Sequence, residues 1–164
     1  MIKLSDYFGQ SKVKKLILLE FLSRGFRVVN GVVYCGEIEI SPVKIARALK
    51  VDRRAVIETA ETISKDIYLS RVFSKLESKG FIGNAAKDLG FDSIVIKANA
   101  SSKGIIAEVT KILANDGVVI RQLAADDPDL FLEPKLYLVI NGKIPISTFS
   151  KIKKLKFADE IIIK

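Results

Sequence analysis

Three groups of residues carry most of the chemistry this chain could perform. They are the pair Arg53-Arg54 with the basic residues around it, the run Ser101-Ser102-Lys103-Gly104 behind Asn99, and the acidic stretch Asp126-Asp127-Pro128-Asp129. Guanidinium groups fork onto phosphate and guanine. A short polar loop that ends in glycine before a helix lets the backbone approach a ligand and offers free amides to a carboxylate. The acidic stretch is rich in turn formers and lacks the spacing of a calcium loop, so a solvated connection is expected there. What is missing constrains function as much. The 164 residues contain no histidine and one cysteine, Cys35, so neither a Ser-His-Asp nor a Cys-His nucleophile can be built. A zinc site within one chain is excluded by the same shortage of nitrogen and sulfur ligands. The expectation is a protein that is not an enzyme and holds no metal or cofactor, with Cys35 an ordinary strand residue.

The charge is uneven. There are 16 basic and 10 acidic residues up to Gly90, and 11 basic and 9 acidic beyond it. Six of the seven arginines lie in the first half. A basic first half points to a polyanionic partner, with nucleic acid as the candidate. Hydrophobic residues make up 49% of the chain, enough for packed cores, yet no run reaches the 18 to 20 apolar residues of a membrane helix. With a lone cysteine and no recognisable leader, a cytoplasmic location away from membranes is expected.

The elements that must position these residues can be read in order. Lys12 to Ser23 is a helix with a wide apolar face, stopped at Gly25. Asn30-Gly31 between apolar runs signals a hairpin, and Glu37-Ile38-Glu39-Ile40 alternates as a strand that would bury its isoleucines. Ser41-Pro42 opens a short helix to about Lys50. Val51 is expected to be buried in the turn, and Asp52 to cap a second helix whose apolar face holds Val56, Ala60 and Ile63. Two short helices around a tight turn, with the small Ala46 where they approach, make a helix-turn-helix.

This stretch resembles the helix-turn-helix of prokaryotic transcription regulators, with Ala46, Val51 and Val56 at the motif's alanine and later buried positions and Lys50 where glycine is usual. Leu76 to Ile82 resembles the helix end and first wing strand of winged-helix regulators. The resemblance implies that the second helix enters the major groove, with Arg53, Arg54, Ile57 and Glu58 near base edges and Lys44, Arg47 and Lys50 at phosphates.

From Phe91 the pattern reads strand, helix, strand, strand, helix, strand. Its first helix, Ile105 to Asn115, would bury Ile105, Ile106, Val109, Ile112 and Leu113; its second, from Ile146 to Leu155, would bury Ile146, Phe149, Ile152 and Leu155. The order βαββαβ is that of the ferredoxin-like sandwich. An RNA-recognition module is disfavoured because the first strand carries no aromatic. A phosphatase-like loop is disfavoured because Asn99 to Gly104 has no arginine. The run Ala100 to Ile120 resembles the ACT domain, an amino-acid-binding regulatory module. That resemblance implies a ligand site of Asn99, Ser101, Ser102, Lys103, Gly104, Ile105 and Val119, the last standing where many members have asparagine facing a neighbouring subunit.

Taken together the chain is similar to predicted regulators of amino-acid metabolism, common in archaea, that join a helix-turn-helix to an ACT domain. The expectation is an α+β protein with a winged-helix-like domain over 1–88 and a ferredoxin-like ACT domain over 89–164. It would form at least a homodimer and bind DNA in response to an amino acid. The alternative is an ACT regulatory subunit that docks on a biosynthetic enzyme and does not bind DNA.

Overall fold

The computed structural model describes residues 11–98, 102–128, 130–131 and 133–164. The chain is a mixed α+β protein with two antiparallel sheets, and it separates into two compact units, Met1–Gly80 and Phe81–Lys164. No helix among the described residues is long and apolar enough to cross a membrane.

In the first unit, α1 (Lys12–Ser23) precedes a three-stranded sheet of β1 (Arg27–Val29), β2 (Val32–Cys35) and β3 (Ile38–Glu39), in that order. Then follow α2 (Pro42–Leu49), α3 (Arg53–Lys65) and α4 (Ile67–Phe73). The hairpin turn is built as the Asn-Gly pair demands, with positive φ at both Asn30 (51°) and Gly31 (79°). Its tip is tied to α3 because the Gly31 amide donates to Ser64 Oγ at 2.7 Å. Ile17, Phe21, Val28, Val33, Val56, Ile63 and Phe73 are sealed in one core drawn from both the helices and the sheet.

Three sequence expectations change here. The strand at 37–40 shrinks to Ile38–Glu39, and Ile38 lies 74% exposed, because β3 is the outer strand and only two of its residues pair with β2. Val51 is half-buried rather than sealed in the turn. No strand forms at Leu76 to Ile82. Up to Ser78, that segment turns back onto the end of α1, where Ser78 Oγ lies 2.9 Å from the Arg24 carbonyl and 3.0 Å from that of Gly25. The fit is tight enough that a Cβ on Gly25 would run into the Glu77 carbonyl oxygen.

In the second unit, β4 (Asp92–Ala98), α5 (Ile105–Asn115), β5 (Ile120–Ala125), β6 (Lys135–Ile140), α6 (Ile146–Lys153) and β7 (Ala158–Ile163) follow the βαββαβ order. The sheet runs β5-β6-β4-β7 with every neighbouring pair antiparallel, so the first and third strands of the unit are central. Alternation along these strands sends Ile94, Ile96, Leu136, Leu138 and Ile140 to one face, where they form a core with Val109 and Leu113 of α5 and Ile152 of α6. Both helices therefore cover the same face.

The opposite face is covered by the segment that enters the unit. The Phe81 ring meets Tyr137 edge-on at 5.4 Å between centroids, and the Ile82 amide donates to Gln122 Oε1 at 2.9 Å. These contacts draw residues 81–88 into the second unit, so the division falls at Gly80 instead of the expected Asp88. Two helix faces also differ from expectation, since Ile106 is 45% exposed and Ile146 85% exposed. On α6 the buried positions are Thr148 and Ile152, because the Thr148 hydroxyl donates to Asp116 Oδ2 at 2.7 Å and turns that side of the helix inward.

Candidate functional site

Two places bring together residues that the sequence singled out. The first is the α2–α3 pair. Asp52 caps α3, its Oδ1 accepting from the Arg54 amide, and α2 ends at Lys50 in the left-handed conformation (φ 54°, ψ 44°). The Val51 amide closes the turn on the Ala46 carbonyl at 3.0 Å. Ala46, Val56, Ala60 and Ile63 are buried, and that burial decides which side of each helix is left outside. Lys44, Arg47, Lys50, Arg53, Arg54 and Glu58 are exposed, and Ile57 is half-buried.

Four other cations of this unit are paired within it. Arg24 meets Glu20 at 2.6 Å, Arg27 meets Glu37 at 3.1 Å, Lys65 meets Glu61 at 3.2 Å and Lys79 meets Glu77 at 3.6 Å. Among the described residues no ion pair engages Lys44, Arg47, Lys50, Arg53 or Arg54. Five cations within eleven residues thus face solvent with their hydrogen-bond donors available, and Glu58 is the carboxylate of the expected set among them. Such an array suits phosphate, each arginine offering a planar two-pronged donor.

The second place is a cavity of about 550 Å³ in the second unit, at the end of the sandwich where α5 begins. Its floor is the core itself, Ile96 and Leu136, and its sides are Ala98, the first turn of α5 and the connection from β5 to β6 with Pro128 and Pro134. Of the expected ligand residues, Ser102, Gly104 and Ile105 line it. Gly104 takes φ 82° where α5 starts, so glycine's freedom sets the entry, and among the described residues no side chain caps the helix. Lys103 is exposed beside the cavity without lining it. Asn99 and Ser101 lie outside the described residues.

Val119 is not brought to this place. It sits just before β5, 59% exposed, whereas the cavity meets that strand at its far end, Ala125 and Asp126. Six strand residues separate the two, roughly 20 Å of extended chain.

Asp126 is the residue that the sequence undervalued. In place of a freely solvated loop carboxylate, it is half-buried in the cavity wall, with Oδ2 accepting from the Lys135 amide at 3.1 Å and from the Tyr137 hydroxyl at 3.2 Å. Burial and the neighbouring Asp126 carboxylate together push the Tyr137 phenol above its ordinary range. The signal available in the sequence was the strand that ends just before Asp126, since a carboxylate one position past a strand can still bond across to the next strand. Asp129 of the same run lies outside the described residues, and among those described no cluster of three histidine, cysteine or carboxylate side chains could hold a metal ion.

No family model matches the sequence, and no curated protein matches it. Among solved structures, one described as the crystal structure of PH0061 aligns over 99% of this chain and 92% of its own, at 11% identity and a TM-score of 0.28. A likeness that slight carries neither fold nor function from one chain to the other.

Proposed function

We propose that this chain is a ligand-responsive transcription regulator of amino-acid metabolism, with α2 and α3 as a helix-turn-helix that reads DNA and the second unit as a ferredoxin-like ACT domain that senses an amino acid. The observation that carries the reading is the set of five exposed cations, Lys44, Arg47, Lys50, Arg53 and Arg54, unpaired on two adjoining helices in a unit that pairs Arg24, Arg27, Lys65 and Lys79 within itself. Left unpaired, they favour a partner rich in phosphate. In this reading α3 enters the major groove by its first turn while Lys44, Arg47 and Lys50 meet the backbone. A homodimer would present two such helices to half-sites about 34 Å apart. An amino acid in the second unit would shift operator affinity by some 5- to 150-fold, the range of ordinary allosteric coupling.

Fluorescence anisotropy of the full chain on genomic promoter fragments tests this. Affinity is expected to fall steeply with salt, log K changing by about −0.9 for each phosphate neutralised. Binding that ignores salt, or no binding to any fragment, overturns the reading and favours the enzyme-docking alternative, which co-purification of an enzyme at fixed stoichiometry would support.

A further inference from the structure

The segment that enters the second unit is fastened differently from the strands it covers. Among the described residues, the backbone bonds of residues 81–91 close within the segment: the Ala85 amide donates to the Ile82 carbonyl at 2.9 Å, Leu89 to Ala85 at 3.1 Å and Phe91 to Ala86 at 2.8 Å. Side chains tie it to the sheet. The Ile82 amide donates to Gln122 Oε1, the Phe81 ring lies edge-on to Tyr137, and the Arg121 guanidinium stands 5.1 Å from the centroid of the Phe91 ring. Ser93, Val95 and Val139 on the covered face are buried, as is Ala86 of the segment itself. A segment without ladder bonds opens at lower cost than a strand bonded on both sides, so it can part from the sheet while β4, paired with β6 and β7, stays whole.

Tyr137 joins this cover to the cavity wall. Its ring supports Phe81, and its hydroxyl donates to Asp126 Oδ2 at 3.2 Å. Asp126 is held in turn by the Lys135 amide at 3.1 Å, and Asp126, Pro128, Pro134 and Lys135 line the cavity from the connection between β5 and β6. Among the described residues Asp126 has no hydrogen bond or ion pair of its own with residues 81–91, so its hold on them passes through the ring of Tyr137. We propose that residues 81–91 form a latch over the sheet whose closure is set from the cavity wall, with Asp126 holding Tyr137 and Tyr137, the positioning residue, holding Phe81. When the connection between β5 and β6 moves, Tyr137 loses its anchor and the latch opens more often, at the point where the chain enters the unit. The inference concerns the second unit alone and holds whichever partner the first unit takes.

Hydrogen exchange of the full chain, followed amide by amide by NMR, tests this. In the unaltered protein the Ile82 and Phe91 amides are expected to exchange through one shared opening, at least about 10-fold faster than Val95 in β4 once intrinsic rates are allowed for. Tyr137→Phe keeps the ring and removes the hydroxyl; Asp126→Ala removes its acceptor. Each should speed Ile82 by about 3- to 30-fold, and the two together no more than either alone, since they delete the same bond. Thr148→Val, which weakens the unit on its other face, should speed Val95 and leave Ile82 unchanged. In a Phe81→Leu chain, which lacks the ring contact, Asp126→Ala should alter Ile82 by less than about 2-fold. An Ile82 rate that Asp126→Ala leaves unchanged, or raises equally in the Phe81→Leu background, overturns the proposal. So does an Ile82 amide in the unaltered protein that exchanges no faster than Val95, a result that needs no variant to fold.

Discussion

The two units use their charges differently. In the second, the charged groups near the sheet hold the unit itself together: Asp92 is bonded to Lys143 and to the Ile144 amide, Asp116 to Thr148 and Lys151, and Lys97 to Glu160 and Glu133. In the first, five cations at α2 and α3 enter no ion pair within the unit, while buried side chains such as Ala46, Val56, Ala60 and Ile63 keep those helices in place. A charge that fixes structure can be recognised by its partner, and one kept for a partner elsewhere by the lack of one. Substitutions should therefore divide cleanly, changing stability in the second unit and binding in the first.

The sharpest way to break that division is to reverse the cations. Arg53→Glu with Arg54→Glu should reduce DNA affinity more than 100-fold, about 3 kcal/mol or more, and leave the melting temperature within a degree or two, by anisotropy and calorimetry. If the melting temperature collapses instead, those arginines are structural and the contrast fails. Next in size is Asp92→Ala, which leaves the part-buried Ile144 amide without its acceptor and removes the Lys143 ion pair, and should cost about 2–4 kcal/mol in urea denaturation. Thr148→Val is expected to cost about 1–3 kcal/mol, since it buries a methyl where a hydroxyl had bonded to Asp116.

Acid sharpens the same contrast. Burial pushes the Asp92 carboxyl up, but the Ile144 amide and Lys143 outweigh it, so Asp92 sits below the ordinary carboxylate range; the Lys151 ammonium and the Thr148 hydroxyl lower Asp116. Groups lowered by folding stabilise above their unfolded value, about 3.9, and that stabilisation is lost as pH falls through their folded values. The second unit should thus lose stability below about pH 4, followed by circular dichroism, and Asp92→Asn should flatten that part of the profile. The smallest effect is expected at Lys50. Its left-handed backbone suits glycine, so Lys50→Gly should gain about 0.5–1 kcal/mol while reducing the salt slope of DNA binding by about 1.

Much of this architecture was legible in the residues. The Asn30-Gly31 turn, the Ser41-Pro42 and Asp52 helix starts and the alternation through Ile94 and Ile96 are local signals, and local signals fix local structure. The exposed cations of α2 and α3 were legible for the same reason, because Val56, Ala60 and Ile63 determine which side of α3 faces outward. What escaped was decided at a distance. Leu76 to Ile82 resembles a helix end and a first wing strand, but Ser78 and Glu77 find the end of α1 some fifty residues earlier in the chain, and Phe81 and Ile82 find Tyr137 and Gln122. Thr148 faces inward because of Asp116, 32 residues away, against the apolar spacing of its own helix. Asp126 looked like part of a solvated acidic loop until Lys135 and Tyr137 of the next strand claimed one of its oxygens.

The bond from the Gly31 amide to Ser64 has a consequence for the lifetime of the molecule. Asparagine followed by glycine is the sequence most prone to spontaneous deamidation, in which the glycine nitrogen closes on the asparagine carboxamide to give a succinimide. That nitrogen is held here by a hydroxyl 33 residues away, in a turn whose two dihedral angles are already fixed. The hairpin is thereby guarded against the slow chemical ageing its own sequence invites, and Ser64 protects a covalent bond as well as a conformation.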